Sequence, residues 1–189
     1  MAITGLAHRL LSSLHVEPGQ LLALAVDLDG HWHPDAPYWK AFEGKPAARL
    51  RSQLEVLPRL AEAGLLRAAK DVSNAGLLGS LLMLLEPNAC GARLDLDLLP
   101  RPADGDLSRW LQAFPSFGFL LTLDEAAWPG VAAAFAREGL SCARIGRISA
   151  DGRLSVRAGG EQAEFWNLHE KPFTGFGNPL SLSTVKEGS

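Results

Sequence analysis

The run Leu77-Leu78-Gly79-Ser80-Leu81-Leu82-Met83-Leu84-Leu85 is apolar on nearly every helical face, and it restricts the fold of this chain more than any other stretch. A helix without a polar face has to be buried all round, so the chain must cover it on several sides. A polar, turn-prone loop precedes it, Lys70-Asp71-Val72-Ser73-Asn74-Ala75-Gly76. Ser73 or Asn74 can cap the helix, because a short side-chain oxygen accepts a bond from one of the first free backbone N–H groups. Gly76 and Gly79 each cost roughly 1 kcal/mol of helix propensity relative to Ala. With Ser80 they form a small-residue side that another backbone, or a ligand, can approach. A buried helix that opens onto a polar loop also offers an anion site. The alternative is a capped core helix and nothing more.

At 189 residues, 47% hydrophobic and 21% charged, the chain is long enough for one domain with a substantial core. A net charge of −3 and a pI near 5.9 argue against a nucleic-acid protein, since no Lys/Arg face is concentrated enough to engage phosphates. Cys90 and Cys142 are too few and too far apart for a disulfide framework or a zinc site, which fits a reducing cytoplasm. The apolar N-terminal stretch is broken by His8 and Arg9 and follows no basic region, so it does not read as a signal peptide. The run Leu77 to Leu85 is far too short to span a bilayer, and no membrane association is expected.

Leu6, Leu10, Leu11 and Leu14 predict a short amphipathic helix over 3–14, ended by the Pro18-Gly19 turn. Gln20 to Asp27 reads as a largely buried strand. The polar cluster Asp27 to Asp35 holds His31 and His33, which invites a metal reading. The spacing rejects a calcium loop, because Gly30 stands fourth rather than sixth and Tyr38 occupies the place of the twelfth-position Glu. No third ligand accompanies the two histidines, and the cluster is read as a turn with Trp32, Tyr38 and Trp39 covering a core edge. Pro46 and Pro58 open two short helices bearing Leu50, Leu54, Leu57 and Leu60, the second ended at Gly64. Leu65 to Ala69 is a brief extended segment.

Gly91 to Leu99 alternates Ala92, Leu94, Leu96, Leu98 against Arg93, Asp95, Asp97, the pattern of a half-buried strand. Asp106 caps a helix with Leu107, Trp110 and Leu111. Phe114 to Gly118 turns into the strand Phe119 to Leu123, and Asp124 caps a helix over 125–138 that Gly139 stops. Ser141 to Ile148 is the next strand, and Asp151-Gly152 signals a hairpin to Leu154–Val156. A last strand covers Ala163 to Trp166, and residues 167–189 read as an irregular or frayed tail. Strands and helices alternate with hairpins among the crossovers. The expected class is therefore α/β of the α+β type, a mixed sheet layered with helices. Rossmann and Walker fingerprints and a Gly-x-Ser-x-Gly elbow are absent from the sequence. Neither cysteine has an obvious His partner. The acidic pairs Asp95/Asp97 and Asp104/Asp106 read as a solvated strand face and a loop with a helix cap.

Four motifs in order carry a family resemblance: Lys70-Asp71-Val72-Ser73-Asn74-Ala75-Gly76-Leu77-Leu78, Gly91-Ala92-Arg93-Leu94-Asp95-Leu96-Asp97, Phe117-Gly118-Phe119-Leu120-Leu121 and Ile145-Gly146-Arg147-Ile148. With the opening Glu17-Pro18-Gly19-Gln20-Leu21-Leu22, they resemble the C-terminal domain of the aminoimidazole ribonucleotide (AIR) synthetase superfamily. That group includes thiamine-monophosphate kinase, selenophosphate synthetase and a hydrogenase-maturation protein. The stretch Trp39 to Lys70 is most similar to an AIR synthase-related subgroup. The resemblance covers residues 16–166, with 1–15 as a helix or linker remnant and 167–189 as the tail.

The resemblance implies a two-domain enzyme that binds ATP and magnesium in its N-terminal domain, usually dimerises, and activates an oxygen or acid by phosphoryl transfer. By matched position, Asp71, Ser73, Asn74 and Gly76 face the cleft between domains, and Phe117 and Gly118 lie in a second segment beside it. Asn74 stands where the family often has Asp, and Ala75 where it often has Gly. The chain begins about where the linker should be, so the ATP-binding partner is expected on another polypeptide or on a segment outside this chain. Without it, no cofactor is expected to bind and no catalysis to occur. The competing reading is a non-enzymatic binding or dimerisation module, with a homodimer expected through the surface once covered by the N-terminal domain; a metal enzyme using His31 and His33 is the third.

Overall fold

Six consecutive buried residues, Leu21–Val26, form a strand (β1) that has no solvated face. Alternate side chains of a strand point to opposite sides. Leu22, Leu24 and Val26 join one apolar cluster, while Leu21, Ala23 and Ala25 join another. A strand buried on both faces requires helices on both sides of its sheet, and the computed structural model, which describes residues 5–103 and 105–175, has that arrangement.

After β1 come β2 (His31–Trp32), β3 (Tyr38–Lys40), α1 (Ala47–Leu54), α2 (Val56–Glu62), β4 (Ala68–Asp71) and α3 (Gly76–Leu85). Then follow β5 (Gly91–Asp95), α4 (Leu107–Gln112), β6 (Phe114–Pro115), β7 (Gly118–Leu123) and α5 (Trp128–Arg137). The described chain closes with β8 (Ser141–Ser149), β9 (Arg153–Ala158) and β10 (Glu161–Asn167). The main sheet has seven strands in the order β10-β9-β5-β8-β1-β7-β4, antiparallel throughout except for the parallel pair β5–β9. On one side α3 and α4 deliver Leu77, Leu81, Leu84 and Trp110; on the other, α2 and α5 deliver Val56, Leu60, Val131 and Phe135. Each fully buried leucine or phenylalanine contributes roughly 1.5–3 kcal/mol. A small second sheet, β2-β3-β6, brings Trp32 and Trp39 edge to face with Trp110.

The mixed α+β class follows the sequence pattern, as does the all-round burial of α3, in which only Leu78 and Met83 are not fully buried. Several local expectations are corrected. Residues 5–14 are not helical; Ser12 instead offers its carbonyl to Ala69 N–H on the outer edge of β4 (2.9 Å). A short isolated helix is marginal in water, and the sheet edge gives this segment a better partner. Residues 3 and 4 lie outside the described residues, as does Asp104. The strand expected over 91–99 ends at Asp95, whose carboxylate accepts the Asp97 N–H and starts a 3-10 turn over Leu96–Leu98. Asp95 also pairs with Arg157, and Asp97 accepts the Gly159 N–H (2.9 Å), so this acidic pair fastens β9. Asp106 caps α4 as predicted, but Asp124 makes no cap bond and pairs with Arg67.

The predicted hairpin at Asp151-Gly152 is a turn but not a hairpin. Strands β8 and β9 do not pair, because β5 lies between them. The connection passes over the start of β5, where a Cβ on Gly91 would sit 2.3 Å from Asp151 Oδ1 and 2.5 Å from the Arg153 carbonyl oxygen. Only glycine leaves room for that crossing.

The tail expected to be irregular or frayed is irregular over residues 168–175 and anchored there. Glu86, which is 0% exposed, accepts the N–H groups of Phe173 (2.8 Å), Thr174 (2.8 Å) and Gly175 (3.1 Å), as well as the Thr174 hydroxyl. Phe173 packs edge to face on Trp166. Burial pushes the Glu86 carboxyl up, but the hydrogen bonds from Thr174, Gly175 and Phe173 outweigh it and hold the group below its ordinary 4.5. Residues 176–189 of the predicted tail lie outside the described residues.

Replacing Gly91 with Ala should lower unfolding stability by about 1–3 kcal/mol, the usual cost of overpacking; an unchanged urea midpoint would contradict the tight crossing. For Glu86 the folded value lies below the unfolded one, so its stabilisation is complete above pH 4.5 and disappears as pH falls through the folded value. The urea midpoint of the native chain should therefore drop in acid. Glu86→Gln should start lower at neutral pH and drop less, the remaining slope coming from exposed, ion-paired Glu43 and Glu125. An acid limb of equal steepness in both proteins would assign the effect to other carboxylates.

Candidate functional site

One end of the main sheet gathers the sequence-predicted residues through backbone pairing. Strand β4 pairs with β7 in a register that sets Asp71 opposite Phe119, and β1 pairs with β7 so that Val26 faces Gly118. Just beyond these pairs, Val72 N–H donates to the Gly118 carbonyl (2.9 Å) and Asp27 N–H to the Phe117 carbonyl (3.2 Å). The loop Asp71–Gly76 and the Phe117-Gly118 segment are therefore direct neighbours. Their side chains are not all shared. Phe117 packs in the cluster of Leu21, Leu121 and Phe135 on the side opposite α3.

The loop itself is shaped by hydrogen bonds other than the predicted cap. Neither Ser73 nor Asn74 caps α3 with its side chain; Ala75 occupies the cap position. Ser80, buried one turn into the helix, reaches back and accepts the Ser73 N–H (3.0 Å), while Gly76 N–H donates to the Ser73 carbonyl (2.8 Å). Gly76 has φ +67°, and a Cβ there would meet the Leu111 carbonyl oxygen at 2.4 Å. A positive φ and this close approach together demand glycine. The last turn of α4 thus takes one part of the small-residue side. The Phe173 ring takes another at Gly79, where it would touch an added Cβ at 3.4 Å. Much of the surface that a ligand was expected to approach is filled by the chain itself.

What stays open is the front of the loop. Asn74 and Ala75 are exposed, Asn74 makes no hydrogen bond among the described residues, and Asp71 is exposed with its Oδ1 2.5 Å from Lys70 Nζ. A helix leaves its first amides without intrahelical partners, and no side chain caps those of α3. A groove of about 380 Å³ runs alongside, between Leu78, Leu82 and Leu111 on one wall and Phe165, Trp166 and Phe173 on the other. This arrangement can hold a polar or anionic group by backbone N–H donors beside an apolar wall. Neither cysteine is an activated thiol: burial raises the Cys90 thiol and pushes Cys142 up to about 12. Among the described residues no group of His, Cys, Asp and Glu is placed to hold a metal ion. His31 instead faces Glu43 (3.0 Å), and His33 Nδ1 accepts the Asp35 N–H (3.1 Å).

Sequence reasoning missed the clasp of Glu86 on the segment 173–175, although a lone carboxylate closing an apolar run was a signal that it needed internal donors. It also missed the burial of Asp27, held by Lys45 Nζ (2.7 Å) and Gln53 Nε2 (3.0 Å). No helix among the described residues is long and apolar enough to cross a membrane.

Comparison with known proteins places this architecture. Residues 21–159 match the family model described as AIR synthase related protein, C-terminal domain. An uncharacterized protein of Synechocystis sp. is 41% identical over 177 residues, covering 93% of this chain and 55% of that protein. The chain spans about half the length of the curated relatives it matches. Among solved structures, T. maritima PurL complexed with FGAR superposes with a TM-score of 0.68 at 17% identity, over 92% of this chain and 29% of PurL. A chain of the HypE–HypF complex gives 0.63 at 14% identity, over 83% of this chain and 55% of that chain. Likenesses this distant in sequence establish a shared fold, and the family match covers most of the sheet and both helical layers. The chain belongs to the AIR synthase-related family and carries its C-terminal domain.

Proposed function

We propose that this chain is the substrate-side half of a cytoplasmic AIR synthase-related enzyme that transfers a phosphoryl group from ATP. The observation that carries the reading is the open front of α3. Uncapped amides and exposed Asn74 stand at the sheet end beside Gly118, in a domain spanning about half the length of its relatives. In the assembled enzyme, Asp71, Ser73, Asn74 and Gly76 form one wall of a cleft, with Phe117 and Gly118 supporting it from β7. Backbone N–H groups of α3 hold a phosphate or carboxylate, and Asp71 positions the loop or a magnesium-bound water. An N-terminal domain supplies ATP and magnesium, because phosphoryl transfer depends on metal ions and a phosphate cradle. PurL has been solved with ATP and HypE in complex with HypF, which is consistent with such domains working inside larger assemblies. Leu6, Leu10 and Leu14, all exposed ahead of β1, provide apolar surface for that partner or for a second copy of the chain.

A non-enzymatic module that keeps the fold is the second reading, favoured by Asn74, an exposed amide where the family often places a carboxylate. Calorimetry on the 189-residue chain separates the consequences. Titration with ATP and magnesium should give no saturable heat, and tight magnesium-dependent binding would refute the half-site reading. Addition of a separately produced N-terminal half from the Synechocystis relative should restore ATP-dependent phosphoryl transfer. A well-formed complex of the two halves that binds ATP yet turns nothing over would favour the module.

A further inference from the structure

On the side of the sheet opposite α3, Asp27, Tyr38, Phe42, Gln53, Ser116 and Phe117 enclose a cavity of about 250 Å³, with Leu50 and Leu54 completing its apolar wall. Its polar floor is deeply buried: Asp27 is 1% exposed and Gln53 2%. The Asp27 carboxylate is satisfied, taking Lys45 Nζ and Gln53 Nε2 on Oδ2 and the Asp29 N–H on Oδ1. Gln53 is not. Its Nε2 donates to Asp27 and, at 3.4 Å, to the Glu138 carbonyl, while its carbonyl oxygen has no hydrogen-bond partner among the described residues. Ser116, an exposed residue that also lines the cavity, accepts the Ala41 N–H on Oγ (2.9 Å), and its own proton has no acceptor among the described residues. Gln53 lines the cavity, and its oxygen, with no protein donor among those residues, is open to that space as an acceptor that an entering N–H can reach. The rim is correspondingly incomplete: Phe42 is 42% and Leu54 59% exposed, large apolar groups that an occupant would cover.

We propose that this cavity is a binding site for a small, uncharged, planar ligand with a donor and an acceptor side by side, as on a primary aromatic amide or a lactam heterocycle. The ligand N–H donates to Gln53 Oε1, its carbonyl or ring nitrogen accepts from the Ser116 hydroxyl, and its flat face lies against Tyr38, Phe42 and Phe117. Because Lys45 already neutralises Asp27, no free charge remains on the floor for an ionic ligand. A carboxylate would lack the N–H that Gln53 requires and would meet no free cation on the floor, since Lys45 is held by Asp27 and Asp29. The site needs no second domain, which separates it from the cleft proposed above: its failure leaves the half-site reading untouched, and the reverse also holds.

Nicotinamide is the probe and nicotinate its charged counterpart, titrated into the isotopically labelled chain by NMR. Nicotinamide should give saturable shifts at the Gln53 side-chain amide, Ser116 and Phe117, with a dissociation constant of about a millimolar for so small a ligand. Nicotinate should bind about tenfold more weakly. Gln53→Met should abolish the preference for nicotinamide. Phe42→Ala, at a rim position where folding is not at stake, should weaken nicotinamide about fivefold without moving the urea midpoint. Shifts that never saturate, shifts centred on Leu78 and Phe165 instead, or equal binding of the two compounds would overturn the proposal.

Discussion

Burial of β1 on both faces obliges the chain to supply apolar cover twice, and most of the architecture follows from that demand. The small side chains Ala23 and Ala25 face α2 and α5, whose bulk is in Leu60, Val131 and Phe135. The larger Leu22, Leu24 and Val26 face α3 and α4. Strand β7 repeats the two-sided pattern next door, with Leu120 on one side and Leu121 and Leu123 on the other. Because β1 and β4 end where β7 begins, the loops that leave the first two and the loop that enters the third are gathered at one end of the sheet. The candidate site occupies that end, so its position is a consequence of packing before any chemistry is considered.

The same end carries two concavities of different character on opposite faces. Beside α3 lies an apolar groove with open amides at its head, suited to a partner domain or an anion held by backbone donors. Beside α1 lies a smaller cavity with a buried amide floor. Phe117 links them: its carbonyl fixes Asp27 and its ring lines the second cavity, while the adjacent Gly118 carbonyl fixes Val72 at the foot of the first.

Local signals in the sequence located β1, α3, β7 and β8 to within a residue or two, because each has a hydrophobic pattern that only one element satisfies. The pattern was insufficient where a distant segment competed. Leu6, Leu10 and Leu14 have helical spacing, yet the free edge of β4 captures Ser12. Asp151-Gly152 is turn chemistry, and Gly152 does adopt φ +63°, but pairing is decided by β5. At the site, the polar loop before α3 and its neighbourhood with Gly118 were readable. The roles of Gln53, Ser116 and Glu86 were not, since each depends on groups far away in the chain: Gln53 on Asp27, Ser116 on Ala41, and Glu86 on the residues from Phe173 to Gly175.

The insertion of β5 between β8 and β9 has a consequence for how the protein is made. As the chain leaves the ribosome, Gly91–Asp95 can dock on β8 only after α5 is complete, and even then it presents a bare edge until Arg153–Ala158 emerges. For that interval the nascent protein carries an unpaired strand bearing Ala92 and Leu94, the kind of edge that recruits foreign strands. Arg93 and Asp95, exposed or half-exposed on the other face, put alternating charge along it. The last two strands therefore act as a closure, and a chain shortened ahead of β9 should be prone to associate through this edge.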